Sequence, residues 1–314
     1  MLDSYNREIE YLRVSVTGRC NLACKYCHPQ QCDEHVLSFD EIEKICAAAA
    51  ELGIKKIRLT GGEPLVRPNL PKLVSAIHNI KGVEHIALTT NAVLLKEQLP
   101  ALLAAGISKI NISLDTLDAA LFKEITGMDK LSAVIEGIEA AVEAGVQVRI
   151  NCVPLYEHYQ EQVSELCSLA DKLRVDIRFI ELMPMGDAHG LKGVSNSELL
   201  ELLKKRYSNW QAHDRYHCDG PAQYYSFEGI KGRIGMISPM SHAFCGDCNR
   251  IRLTAEGFLR TCLGSDDGVD LKAVLQSGGD LKEAIKKSVY AKPACHHFNT
   301  APCTSVKSMA QIGG

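Results

Sequence analysis

The sequence predicts an α/β fold built on a parallel sheet. Short apolar, β-branched runs recur at 11–16, 56–60, 85–89, 109–114, 146–153 and 176–180. Helical stretches lie between them at 39–52, 70–80, 98–105, 131–144 and 160–172. A strand–helix alternation repeated about six times sets parallel strands side by side with helices on the outer face. Six such units fit either an incomplete barrel or an open doubly wound sheet.

Gly53, Gly106 and Gly145 each follow a helix, where a glycine closes the last turn. From Met183 the rhythm breaks. Gly186, Asp187, Gly190 and Gly193 suggest an irregular connection, and 195–207 reads as a helix capped by Ser195 or Asn196. Residues 224–237 read as strands with turns at Glu228-Gly229 and Lys231-Gly232. A soft boundary near 230 divides a barrel region, 5–229, from a C-terminal region, 230–314. The stretch after Tyr290 lacks periodicity and ends in Ile312-Gly313-Gly314.

Composition narrows the function. The chain has 314 residues, 46% of them hydrophobic and 23% charged, with a net charge of −3. That balance suits a globular enzyme and gives no basis for expecting nucleic acid or an anionic membrane as partner. No apolar run approaches the roughly 18–20 residues of a membrane span. The first ten residues lack a signal-peptide core, so a cytoplasmic location with reduced thiols is expected. Thirteen cysteines are then better read as ligands than as disulfides. Cys46 and Cys167 lie in apolar helical patterns and are expected in the core, while Cys32, Cys152, Cys218, Cys295 and Cys303 are scattered.

In parallel α/β folds, ligands bind at the carboxyl ends of the strands. Cys20, Cys24 and Cys27 follow the first strand as C-x3-C-x2-C. Gly61-Gly62-Glu63-Pro64 follows the second, Thr89-Thr90-Asn91 ends the third, Ser113-Leu114-Asp115 the fourth, and Glu181-Leu182-Met183 the last. Three thiolates suit a metal centre with an open position. The competing reading is a structural zinc site, which is closed by four ligands, with His28 as the fourth. Tyr26 and the Gly-Gly-Glu stretch point away from zinc. A second triad, Cys245, Cys248 and Cys262, has the spacing CxxC-x13-C. His242, Cys218, Cys295 or His296 would complete it; without a fourth ligand it is another open iron–sulfur site.

Arg13, Arg58, Arg149 and Arg178 each fall inside a predicted strand, where covered parallel strands are usually apolar. Together with Lys56, Arg250 and Arg252 they imply an anion held in the interior, and a guanidinium fork suits phosphate. A nucleoside triphosphate fits that charge, although no Walker-type loop is present.

These motifs carry a resemblance. The first triad, Tyr26 and Gly61–Pro64 resemble the radical S-adenosylmethionine superfamily. Adding the second triad, Asn249-Arg250-Ile251-Arg252 and the terminal Gly-Gly, nearly the whole chain resembles the GTP 3′,8-cyclase family. The resemblance implies a partial TIM-like barrel of about six βα units, closed by a C-terminal iron–sulfur region. It implies a lyase of the first step of molybdenum cofactor (molybdopterin) biosynthesis. A 5′-deoxyadenosyl radical takes hydrogen from C3′ of GTP, and the ribose radical attacks C8, giving (8S)-3′,8-cyclo-7,8-dihydroguanosine 5′-triphosphate. Two 4Fe–4S clusters are implied, at Cys20, Cys24 and Cys27 and at Cys245, Cys248 and Cys262, the second facing guanine. Tyr26, Gly62, Ser113 and Met183 match contacts to S-adenosylmethionine. Arg13, Arg58, Thr89, Arg250, Ile251 and Arg252 match GTP contacts, with Lys56, Arg149 and Arg178 as further candidates. Catalytic roles are implied for Arg13, Gly313 and Gly314. Implied partners are GTP, an electron donor of flavodoxin or ferredoxin type, and a downstream pterin synthase; a homodimer stays open. Departures from the family pattern are Arg149 for lysine, Gly18 for an acidic residue, Ala92 for glycine, and a shortened loop after Cys27. A radical peptide-modifying enzyme and an electron-transfer or zinc module are the competing readings.

Overall fold

The structure is a computed structural model, which describes residues 1–27, 35–185, 188, 190–214, 220–296, 298 and 309–312. Six strands and their helices follow in the predicted alternation. They are β1 (Tyr11–Ser15), α1 (Phe39–Glu51), β2 (Lys56–Thr60), α2 (Leu70–His78), β3 (His85–Thr90), α3 (Leu95–Ala104) and β4 (Lys109–Ser113). Then come α4 (Ala119–Thr126), α5 (Leu131–Glu143), β5 (Gln147–Cys152), α6 (Tyr159–Leu173) and β6 (Asp176–Ile180). β1 to β6 pair in sequence order, all parallel.

Local chemistry explains the boundaries. Ser38 and Glu41 form a reciprocal capping box at the start of α1, and Gly53 at φ +101° follows its end. α3 begins at Leu95, three residues before the predicted start, because Leu95 and Leu99 are buried together one turn apart. The sequence reading missed α4. Its signals are present: Asp118 caps it by accepting from Leu121 N at 2.7 Å, and Gly127 ends it at φ +73°.

The C-terminal half joins the same sheet. It contributes α7 (Asn196–Arg206), β7 (Trp210–Ala212), β8 (Gln223–Phe227), β9 (Ile234–Ile237), β10 (Arg250–Leu253), β11 (Phe258–Arg260) and β12 (Gly268–Asp270). Three helices follow: α8 (Leu271–Gln276), α9 (Leu281–Tyr290) and α10 (Met309–Ile312). β10 lies parallel to β1, and β9 lies parallel to β6. Among the described residues, the strand order is β12-β11-β10-β1-β2-β3-β4-β5-β6-β9-β8-β7. Eight parallel strands therefore run from β10 to β9, and antiparallel hairpins flank both ends in place of closure. This is a partial barrel. The turn near residue 230 joins β8 to β9, which pair antiparallel, and Ile285 and Val289 of α9 belong to the same apolar core as β1.

Alternation along the strands separates two faces. Leu12 and Val14, Ile57 and Leu59, and Ile251 and Leu253 are buried in the core beneath the helices. Tyr11 and Arg13, Lys56 and Arg58, and Arg250 and Arg252 line the interior. The N-terminal segment meets the segment that follows α9 beside this interior. Arg7, held by Asp3 at 2.6 Å, donates to the carbonyls of Cys245 (2.8 Å), Pro293 (2.7 Å) and Ala294 (2.9 Å).

Candidate active site

The interior is a cavity of about 370 Å³ that receives both cysteine triads and the strand arginines. The first triad sits on the loop after β1. α4 positions this loop: Ala23 N and Lys25 N donate to the carbonyls of Thr126 (2.8 Å) and Ile125 (2.9 Å). Carbonyls at a helix end lack intrahelical partners, and the loop supplies them. The second strand end locks the loop from the other side. Gly62 N donates to Thr17 O and Glu63 N to Arg19 O, each at 2.8 Å. A Cβ at Gly61 would collide with Thr17 O, and one at Gly62 with Arg19 O, so only glycines permit this approach.

Glu63 faces inward as a clip. It is 1% exposed, and its carboxylate accepts from Leu65 N (3.0 Å), Thr90 Oγ1 (2.7 Å) and Asn91 N (2.6 Å). Burial pushes it up to about 7, against these hydrogen bonds. Asn91 in turn donates to Asn21 Oδ1 at 2.7 Å and to the Cys20 sulfur at 3.7 Å. Tyr26 donates to Asp115 Oδ2 at 2.5 Å, and Val153 N donates to Oδ1 at 2.8 Å. Burial and the neighbouring Asp115 push the Tyr26 hydroxyl well up, so it remains a donor. Burial also raises Cys20 and Cys24, with Glu63 adding to the first and Asp115 to the second.

The second triad has the opposite electrostatics. Cys245 begins a single 3-10 turn, Cys245–Asp247, and the β10–β11 hairpin returns the chain so that Cys262 also faces the cavity. Burial alone would raise Cys248, but the Arg250 guanidinium and the Lys292 ammonium outweigh it and bring the thiol to about 7.

Between the triads lies a row of arginines. Arg252, Arg13 and Arg58 are direct partners across β10, β1 and β2. Arg58 donates to Tyr11 Oη (2.5 Å), Leu88 O (3.2 Å) and Thr89 Oγ1 (3.3 Å). Arg13 Nε is buried with no hydrogen-bond partner. Burial would raise the Tyr11 phenol, but Arg58, Arg13 and Lys56 bring it down to about 7. Across the cavity, Arg178 donates to Tyr224 Oη at 2.6 Å, and Arg149 lies 3.7 Å from Asp176 Oδ2. Gly235 stands opposite Arg178. A Cβ there would approach Arg178 Cγ to 3.2 Å and the Tyr224 ring to 3.0 Å.

Of the sequence-predicted residues, Cys20, Cys24, Cys27, Tyr26, Gly62, Ser113 and Met183 all line this cavity, as do Cys245, Cys248 and Cys262. So do Arg13, Lys56, Arg58, Thr89, Arg149, Arg178, Arg250 and Arg252. Ile251 does not: its side chain is fully buried in the core on the other face of β10, so any ligand contact falls to its main chain. His296 lines the cavity, whereas His242 and Cys295 do not. Gly313, Gly314, His28 and Cys218 lie outside the described residues. Sequence reading missed Tyr11, Asn111, Asn151, Tyr224 and Lys292. The first three were visible as polar positions at the alternation spacing; Lys292 follows a helix and carries no such signal.

The donor set fits iron–sulfur clusters. Among the described residues, no group of three Cys, His, Asp or Glu side chains gathers as around a single metal ion. In a 4Fe–4S cluster each thiolate takes a different iron, so the three cysteines of each triad that face the cavity would hold three irons and leave the fourth open.

Residues 14–170 match the model of the radical SAM superfamily, and residues 175–298 match Molybdenum Cofactor Synthesis C. A GTP 3′,8-cyclase of Clostridium perfringens (strain SM101 / Type A) is 44% identical over the full length of both chains. One from Syntrophomonas wolfei is 43% identical, also over the full length of both. The chain belongs to the GTP 3′,8-cyclase family. Its fold is similar to Streptococcus suis SuiB bound to S-adenosylmethionine, with a TM-score of 0.64 and 16% identity over 89% of this chain and 68% of that one. In this GTP 3′,8-cyclase family member, both cysteine triads and the cationic side chains line one cavity.

Proposed function

We propose that this chain is a radical S-adenosylmethionine GTP 3′,8-cyclase, converting GTP to (8S)-3′,8-cyclo-7,8-dihydroguanosine 5′-triphosphate in the first step of molybdenum cofactor biosynthesis. The observation that carries the reading is the Arg252–Arg13–Arg58 row, aligned across three strands between two cysteine triads in one cavity. Three adjacent guanidinium groups, Arg58 and Arg252 buried and Arg13 half-buried between them, favour an anion, and a triphosphate supplies several charges to a bidentate donor set.

Cys20, Cys24 and Cys27 would hold one 4Fe–4S cluster, and Cys245, Cys248 and Cys262 the other. When bound, the first cluster supplies the electron for reductive cleavage of S-adenosylmethionine. Tyr26, Gly62, Ser113 and Met183 hold S-adenosylmethionine, with the glycines letting the end of β2 pack directly against the cysteine loop. Arg58, Lys56, Arg149 and Arg178 bind the phosphates, and Thr89 orients Arg58. Arg250, Arg252 and the main chain of Ile251 hold the base end beside the second triad. Arg13 lies between the two ends and takes the catalytic role, with Gly313 and Gly314 completing the site. Ribose C3′ and guanine C8 belong to one GTP molecule, so the protein's part is to hold them in the orientation for ring closure, and the seated nucleotide displaces water from the cavity. The reductant is of flavodoxin or ferredoxin type, the product passes to a pterin synthase, and the enzyme acts in the cytoplasm.

The test is anaerobic incubation with GTP, S-adenosylmethionine and dithionite. The expected result is one 5′-deoxyadenosine formed per GTP consumed, with about eight irons per chain. Cleavage of S-adenosylmethionine with GTP left intact overturns the assignment.

A further inference from the structure

Lys292 is the most deeply buried lysine side chain facing the cavity, at 2% exposure. Its position is fixed from several directions. Its own N–H closes the end of α9 on Val289 O at 3.0 Å, and Pro293 prevents the helix from continuing. Arg7 then grips the carbonyls of Pro293 and Ala294, and with them that of Cys245. Nζ donates to Arg250 O at 3.1 Å and to Thr261 O. Those two carbonyls belong to the strand that leaves Cys248 and to the residue before Cys262. An ammonium has three donors, two of which these carbonyls take, and Lys292 lines the cavity together with Cys248 and Cys262. Among the described residues, no carboxylate pairs with Lys292; its charge partners are the sulfurs of Cys248 and Cys262. The first triad differs among the described residues. Its charged neighbours are Glu63 and Asp115, both acidic.

We propose that Lys292 is a positioning residue of the second iron–sulfur centre, directing one N–H at the Cys248 sulfur and raising the reduction potential of the centre held there. This rests on the reading of Cys245, Cys248 and Cys262 as cluster ligands. Reduction adds a negative charge to the centre, and a buried cation on a ligand sulfur favours the reduced form.

The test is an EPR-monitored redox titration of the reconstituted full chain. A background with Cys20, Cys24 and Cys27 replaced by alanine assigns the signals to the second centre. Lys292→Gln is expected to lower that midpoint by about 59 mV or more, a tenfold change in a one-electron equilibrium. Lys292→Arg, which keeps the charge, is expected to stay closer to wild type. If Lys292→Gln loses the second centre while Lys292→Arg keeps it, the charge is needed to gather the thiolates, which also supports the proposal. An unchanged midpoint in Lys292→Gln overturns it, as does equal damage in both variants. A wild-type chain that never acquires a second centre refutes the ligand reading instead, and iron analysis at about four irons per chain distinguishes that case.

Discussion

Replacing Arg13 by methionine separates binding from stability. Arg13 stands between Arg252 and Arg58, and its Nε is buried without a partner. Burial and these like charges push its guanidinium well below the usual arginine range. An unsatisfied buried donor costs about 1–3 kcal/mol, and methionine fills similar volume without that cost. Arg13→Met is therefore expected to stabilise the ligand-free chain by about 2 kcal/mol. With an unfolding entropy of roughly 2.1 cal/mol/K per residue, a 314-residue chain has about 0.66 kcal/mol/K. The expected rise in Tm is then about 3 °C, read by calorimetry on cluster-free protein. Binding should move the other way. A charge-assisted hydrogen bond contributes about 1.5–3 kcal/mol, so affinity for GTP in the reconstituted chain should fall roughly 10- to 150-fold by anaerobic titration calorimetry. A lower Tm would mean that Arg13 is satisfied within the protein. Unchanged GTP affinity would mean that the arginine row does not bind the nucleotide.

Four further outcomes follow from the site. Glu63 has a raised pKa in the folded state, so the fold holds more protons than the unfolded chain between its ordinary value of 4.5 and about 7. Its contribution is complete below 4.5 and is lost as pH rises through 7, with a slope on the order of 1.4 kcal/mol per unit; Glu63→Gln should flatten that part of the urea-stability profile. Gly62→Ala drives a Cβ into Arg19 O and should remove the first cluster alone, halving bound iron to about four per chain. Ala92 is held at φ +63°, so Ala92→Gly should stabilise the chain by on the order of 1 kcal/mol in chemical denaturation. Tyr224→Phe removes the 2.6 Å partner of Arg178 and should raise KM for GTP about 3- to 10-fold, with a smaller effect on kcat.

Much of this site was legible because it follows the alternation of the strands. Arg13, Arg58, Arg149 and Arg178 violate the apolar pattern at interior positions, and the structure places all four in the cavity. Ile251 shows the limit of motif transfer: it lies in the same motif as Arg250 and Arg252, but a one-residue step in a strand reverses the face. The parallel pairing of β10 with β1 was not legible, since no local period records which distant strand fills an edge. The same holds for Lys292 and Tyr224, whose importance comes from what the sheet brings beside them. Ala92 was noticed as a departure from glycine, and its positive φ shows what that departure costs.

The pairing of β10 with β1 also gives the site a timetable. β1 leaves the ribosome first, yet one of its edges waits for a strand that begins at Arg250. At about 5–20 residues per second, the intervening chain takes roughly 10–50 s to synthesise. During that interval the first cysteine triad exists without the far wall of its chamber, and Arg7 has no Pro293 or Ala294 to hold. The chamber closes only when the last part of the chain arrives, so a nascent or truncated chain exposes its thiols without enclosing them.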